Sequence, residues 1–375
     1  YDGSGNVRKQ IDALGAETSF TYDANGNQLT ETTTQTTPTG VRTLVTTRTY
    51  DADGRVRTVK DAESYTSITE YDPFGNRIAT TDPLGRTTRF VYDDRGLLVE
   101  TIYPDGTPDD LSDNPRMRTE YDAAGNEIAQ IDQLGYRTQF VYDALGRQTE
   151  TIYPDATRDN DADNPRSKTE YDAAGQVKAQ IDERGNRTEF EYDQAGRQTV
   201  VRDALGYETI TTYDSAGRQE TVTDALGHVT EFVYDATGRP TTTIYADGTS
   251  TTSIFDDAGR LAGRTDQLNR TTDYEYDAMG RLTAVVLPAV TDPRTGERVR
   301  PRTEYDYDER GNLIRQTDAE GRSTLFEYDG LGRRTATVLP LGQRSTSVYD
   351  PVGNLIQATD FNGDTILYEY DDENQ

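Results

Sequence analysis

Few side chains in this 375-residue sequence are equipped for catalysis. Covalent catalysis needs a nucleophile with an oriented base beside it, and the sequence has no Cys and a single His, His228. That His follows Ala225-Leu226-Gly227, in a position that Arg86, Tyr136 and Tyr207 fill in sister segments, so it reads as a surface side chain after a turn. Carboxylates number 67. A glycosidase needs two of them at a set separation with split pKa values. Here they recur in Asp-x-x-Gly steps, and turn formation accounts for them. One loop imitates a calcium ligand set: Asp159, Asp161, Asp163 and Glu170 fall at positions 1, 3, 5 and 12 of an EF-hand pattern. Asn164 stands where that pattern requires Gly, and the flanks read as strands. The 159–170 stretch therefore reads as a solvated acidic loop that a calcium titration would test. No catalytic residue, cofactor or metal ligand is assigned.

The informative residues are structural, and Tyr71 to Asp93 shows them best. Tyr71-Asp72 opens the stretch and Tyr92-Asp93 opens the next copy 21 residues later. Two Asp-x-x-Gly steps divide it, Asp72 to Gly75 and Asp82 to Gly85. Asp bonds its own backbone at the start of such a turn, and Gly tolerates the left-handed conformation at its end. A type I turn followed by a left-handed Gly closes a three-residue hairpin loop. The segments between are rich in Thr, Ile, Val, Phe and Tyr, which suit a pleated surface. Thr88, Phe90 and Tyr92 alternate with their neighbours and share one face. The expectation is strand, turn, strand, turn, with Tyr192, Asp193, Gly196 and Arg197 filling the same roles in a later copy.

The chain is this unit repeated. Tyr-Asp, once replaced by Phe255-Asp256, starts 17 copies, and 12 of the 16 spacings are 21 residues. The four longer copies grow at the second turn, over 32–48, 104–118, 154–168 and 288–302. Such insertions leave the strands intact and project from one rim of the sheet. No composition shift marks a boundary, so 1–375 reads as one continuous array. It begins and ends inside a motif, as an excerpt of a longer array does.

Composition points the same way. Leu, Ile, Val and Phe total 66 residues, and the net charge is −28. Those values alone describe a disordered chain, but the strict Tyr period overrules them. There is too little apolar mass for a thick core, which fits a thin wall with one half-buried face. The acidic balance argues against a nucleic-acid partner, and no apolar run is long enough to span a membrane as a helix. Of the 39 cations 35 are Arg, whose planar group lies on aromatic faces and pairs with Asp. About 34 antiparallel strands in sequence cannot stay an open sheet and must wind up. The fold class is all-β: a long antiparallel meander wound into a spiral shell or tube. The aromatic stripes offer stacking surfaces for sugars, and cross-strand packing is the plainer use of them.

The pattern Y-D-x-x-G-R/N, five residues, D-x-x-G-x-x-T-x-F/Y-x-Y-D resembles the YD repeat of the RHS (rearrangement hotspot) family. That family includes bacterial polymorphic toxins, shell components of insecticidal toxin complexes, and animal teneurins. The resemblance covers the whole chain. It implies a β-ribbon wound into a hollow shell that, in the toxins, encloses a C-terminal effector, and it carries an association with carbohydrate binding and cell-surface adhesion. The implied protein is a non-enzymatic structural wall, secreted or at a bacterial cell surface, whose partners are neighbouring repeats or other copies, an enclosed effector, or carbohydrate. An extracellular filament or adhesin is the alternative. Asp350-Pro351-Val352-Gly353 resembles the family's cleavage-associated turn only locally, and Asp72-Pro73 and Asp82-Pro83 repeat that turn within the array, so no protease residues carry over.

Overall fold

The computed structural model describes residues 1–106, 111–155 and 164–371. Among them are 34 β-strands and no helix. Sixteen complete copies supply 32 strands, and the fourth insertion adds a two-stranded ribbon of its own, Val290–Thr291 with Arg298–Val299. The chain separates into two compact units. One comprises Tyr1–Phe90, Ile102–Asn114 and Thr272–Gln375; the other comprises Val91–Thr101 and Pro115–Thr271.

Within the second unit, the copy starting at Tyr192 shows how sequence becomes structure. The strand Arg187–Tyr192 pairs antiparallel with Gln198–Arg202, which pairs with Glu208–Tyr213. The first turn is closed by Asp193 N–H to the Arg197 carbonyl at 2.9 Å and Gly196 N–H to the Asp193 carbonyl at 3.0 Å. Gly196 has φ +82°, the left-handed geometry the loop requires, and Gly206 repeats it in the second turn at +84°. The register slips by one residue between Glu191 and Tyr192, a bulge at the mouth of the turn. That slip recurs beside the first turns of the other copies, for example at Glu120/Tyr121 and Thr212/Tyr213.

The strand alternation sorts side chains by face. Thr188, Phe190 and Tyr192 share one face with Val201; Glu189 and Glu191 share the other with Val200 and Arg202. The covered apolar positions described in this unit are two alanines, Ala129 and Ala179. This is a single layer, stabilised by pairing and by side chains that cover one another.

Within the first unit the expectation for the first insertion is corrected. Thr32 to Arg48 grows at the second turn but does not leave the flanking strands unchanged. It continues both flanking strands into the hairpin Gln28–Thr37 and Gly40–Tyr50, paired without a slip from Thr30↔Thr47 to Thr37↔Gly40. β-Branched residues favour the extended backbone, and Pro38-Thr39 makes the turn. This hairpin carries the two largest fully buried side chains described in the protein, Leu44 and Gln35.

Candidate functional site

The first turns form a relay that links copy to copy. Asp214 Oδ1 accepts the N–H groups of Ala216 and Arg218 at 2.9 Å each, and its Oδ2 accepts Arg218 Nε at 2.7 Å. The oriented guanidinium lies over the Tyr234 ring, 4.6 Å from its centroid, and donates to the Asp235 carbonyl at 3.3 Å. Asp235 then fixes Arg239, which lies over Phe255 at 4.7 Å. The Tyr234 hydroxyl donates to the Gln219 carbonyl at 2.7 Å. That acceptor is the first residue of the copy's first strand, so the Tyr that ends a copy's second strand clamps the strand that opens it. Tyr192 to Val177 at 2.9 Å and Tyr213 to Gln198 at 2.7 Å follow the same rule.

The residues singled out from sequence occupy these places. Asp72 accepts Phe74 and Asn76 N–H at 2.9 and 2.8 Å, with Asn76 Nδ2 on its other oxygen. Asp82 holds the Leu84-Gly85-Arg86 turn in the same way. Tyr71 lies under Arg55 at 4.8 Å and bonds the Val56 carbonyl, while Phe90 lies under Arg77 at 4.6 Å. Tyr92 ends the strand Thr87–Tyr92. Asp193 binds Arg197 Nε at 2.8 Å across the turn that Gly196 closes. Arg thus lies on the aromatic faces and pairs with Asp, as the preference for Arg over Lys suggests.

The opposite face carries a device with no obvious local signature. Arg187 reaches Glu189 at 2.9 Å and, with its other two nitrogens, both oxygens of Glu170 at 2.9 and 2.8 Å. The register puts Ala179 opposite Glu170 on one side and Glu189 on the other. The guanidinium arches over this small side chain and covers it completely. Arg302 does the same over Ala284 with Glu275 and Glu304. Ala179→Leu places three extra carbons under the arch and is expected to destabilise the strands by about 1 kcal/mol, whereas Ala179→Ser leaves the arch intact. Urea melts of the two variants decide this, and equal midpoints would refute the arch.

Several turn carboxylates, Asp122 and Asp193 among them, are held below the usual range. The Arg197 side chain, then its backbone N–H, lowers the Asp193 pKa; the Asn126 side chain and backbone do so at Asp122. Arg187 lowers that of Glu170. A depressed folded-state pKa contributes stability that is present above the unfolded value, about 4, and is lost as pH falls through the folded values. The melting temperature is therefore expected to stay level from neutral pH down to about 5 and to fall below about 4. A circular-dichroism pH series checks it.

The first unit contains a seam where the ribbon meets itself. Gln35 Nε2 donates to the Asp329 carbonyl at 3.2 Å, and the Thr36 N–H donates to Glu309 at 2.7 Å. Glu63, held by Arg42 at 2.9 Å, accepts the Gly330 N–H. Arg310 donates to the Gly330 carbonyl. Second turns of the early copies thus meet first turns of the late ones. Beside the seam, the hairpin tip overhangs a cavity of about 320 Å³ lined by Gln35, Pro38, Ile314, Leu325 and Phe326, among others. The charges around it are paired, Arg315 with Asp306 and Glu327 with Arg344. Sequence reasoning missed the seam, whose partners lie about 270 residues apart. Gly330, a Gly where most sister copies carry Ala, Pro, Ser or an acid, was its one trace.

His228 behaves as a turn residue: its Nδ1 lies 2.9 Å from Asp224 Oδ2, the contact Arg makes elsewhere. Of the calcium-like loop, Asp159, Asp161 and Asp163 lie outside the described residues, and both Glu170 oxygens are taken by Arg187.

A ribbon of turn-locked antiparallel hairpins defines an all-β repeat protein. The RHS Repeat model matches eight stretches, from residues 1–42 through 307–344, and together they cover more than half of the chain. The chain belongs to the RHS repeat family. No curated protein matches it. Among solved structures, TcdB2-TccC3 is similar with a TM-score of 0.67 at 17% identity, over 95% of this chain and 23% of that one. TcdB2-TccC3-TEV gives 0.66 at 18% identity, over 96% and 23%. The Tc holotoxin pore of Photorhabdus luminescens gives 0.57 at 15% identity, over 94% and 23%. At these identities the likeness is one of fold, and the chain spans about a quarter of the chains it matches.

Proposed function

We propose that this chain is a stretch of wall in a hollow β-shell, that the shell encloses an effector lying outside these residues, and that the whole is secreted or displayed at a bacterial surface. The seam carries the reading: a ribbon whose early second turns bond its late first turns is suited to winding around an enclosed volume. The likeness to a Tc holotoxin supports the same class of use. The wall is read as non-enzymatic because its turn carboxylates and guanidinium groups are engaged by one another. The proposal does not extend to carbohydrate, because Arg197 and Arg218 already lie over the Tyr213 and Tyr234 rings. Electron microscopy of the native particle tests the reading. Discrete closed capsules with internal density are expected; continuous hollow fibres of constant width would replace the shell with a filament.

A further inference from the structure

Packing at the seam is least complete beneath the tip of the hairpin Gln28–Thr37 and Gly40–Tyr50. Two independent signs meet there. Gln35 is 1% exposed and its Nε2 bonds across the seam, yet its Oε1 accepts no hydrogen bond among the described residues. Buried acceptors nearly always have a donor, so an orphan marks a contact that is not fully seated. Beside it lies the half-open cavity of about 320 Å³, between Gln35 and Pro38 on the hairpin and Ile314, Arg315 and Leu325 on the late strands. Close-packed proteins leave few gaps of that size between their own elements.

The lining selects what can fill it. Size comes first: a cavity of about 150 Å³ lined by Leu, Ile and Phe holds one benzene, so this one has room for two fused rings. Charge comes next. Arg315 is paired with Asp306, and both Glu327 oxygens accept from Arg344. An ionised guest would give up its hydration and meet no free opposite charge, which is costly. The third feature is Arg315 itself. Elsewhere a guanidinium fixed by a carboxylate rests on a ring, as Arg197 does on Tyr213 and Arg333 on Tyr349. Arg315 is fixed through its Nε by Asp306 but makes no ring contact among the described residues. A guanidinium so placed attracts an aromatic face.

We propose that this cavity binds an uncharged aromatic molecule of two fused rings, seated on the Arg315 guanidinium, against Leu325 and beneath Pro38. The walls come from parts of the chain about 280 residues apart. The guest therefore bridges the seam and stabilises it by mass action. The site does not rest on an enclosed effector, and its test involves none.

The test is calorimetric titration of the 375-residue chain with indole, with hydrogen exchange read on the same mixture. Saturable binding at one site with a Kd of about 1 mM or tighter is expected. Exchange in the hairpin 28–50 should slow, with 116–265 unchanged. Benzoate and benzylammonium, similar in size but charged, should bind about tenfold more weakly or not at all. Arg315→Met should weaken indole about threefold and leave cyclohexanol, which has no aromatic face, as it was. Leu325→Gln should weaken both about tenfold. Leu325 is 42% exposed and the Arg315 side chain 54%, so both variants should keep the wild-type melting temperature. No saturable indole binding, charged probes that bind as tightly, or variants that bind indole as the wild type does would each overturn the proposal. Binding that leaves exchange of the hairpin unchanged would overturn it too, because the guest would then sit elsewhere.

Discussion

Gly330→Ala is expected to open the seam and leave the second unit untouched. A Cβ on Gly330 would stand 2.7 Å from Glu63 Oε1, 2.9 Å from Leu44 Cδ2 and 3.4 Å from Ala62 Cβ. Side-chain ends normally yield, but neither of these is free to. Glu63 is tied to Arg42 and to the Gly330 N–H itself, and Leu44 is 2% exposed. The methyl group must displace the carboxylate that bonds its own backbone, or the almost fully buried Leu44. Overpacking of this kind costs about 1–3 kcal/mol. Hydrogen exchange read by mass spectrometry should show faster exchange in the hairpin 28–50 and the turn 328–332, with 116–265 unchanged. Gly3→Ala is the matched control, because it occupies the same motif position with nothing within 4 Å. If both variants exchange alike, the seam is not a stabilising contact.

Tyr234→Ser is expected to cost more, about 2–4 kcal/mol locally. The ring lost is half-buried, and truncation of a large aromatic side chain in a packed site costs several kcal/mol. The platform beneath Arg218 and the bond to the Gln219 carbonyl disappear with it. Tyr234→Phe separates the two parts: it keeps the ring and removes only the hydroxyl, at about 1 kcal/mol. The protein already carries this change, since Phe255 fills the place of a repeat Tyr beneath Arg239. In a one-dimensional array the damage stays near its origin. Exchange should therefore rise in 208–244 and be undisturbed two copies away. Equal effects of Ser and Phe would place the whole contribution in the hydroxyl and refute the platform.

The contrast between what was and was not legible in the sequence follows from distance along the chain. The turn at Asp193 to Gly196 is encoded in four adjacent residues, each with a local reason for its type, and so are the strands on either side. The pairing of Arg197 with Asp193 lies within the same turn. The clamp from Tyr213 to Gln198 spans 15 residues and ends on a backbone carbonyl, which any residue type offers, so composition cannot mark it. The arch of Glu170, Ala179 and Arg187 becomes visible only once the register is known. After that, the same spacing stands out at Glu120, Ala129 and Arg137. The seam lies furthest away: Glu63 and Gly330 meet because of how the ribbon curves, and curvature is a sum over many strands. The insertion of Thr32 to Arg48 is legible as growth at the second turn but not as longer strands, because the motif places a turn there and only the run of threonines extends the pairing.

The Tyr clamp has a consequence for how such a protein changes over generations. Its two ends are the last residue of a copy's second strand and the first residue of its first strand, whatever lies between. Tyr142 reaches back 15 residues to Glu127, Tyr171 reaches 23 to Gln148, and Tyr307 reaches 25 to Leu282. Extra sequence at the second turn never has to be accommodated by the clamp. Each copy is therefore a closed cassette with a built-in port for foreign sequence. New peptides can be grafted at 104–118 or 288–302 without disturbing the Tyr clamps of the other copies, whereas adding or deleting a whole copy between Glu63 and Gly330 would shift the turns that meet at the seam.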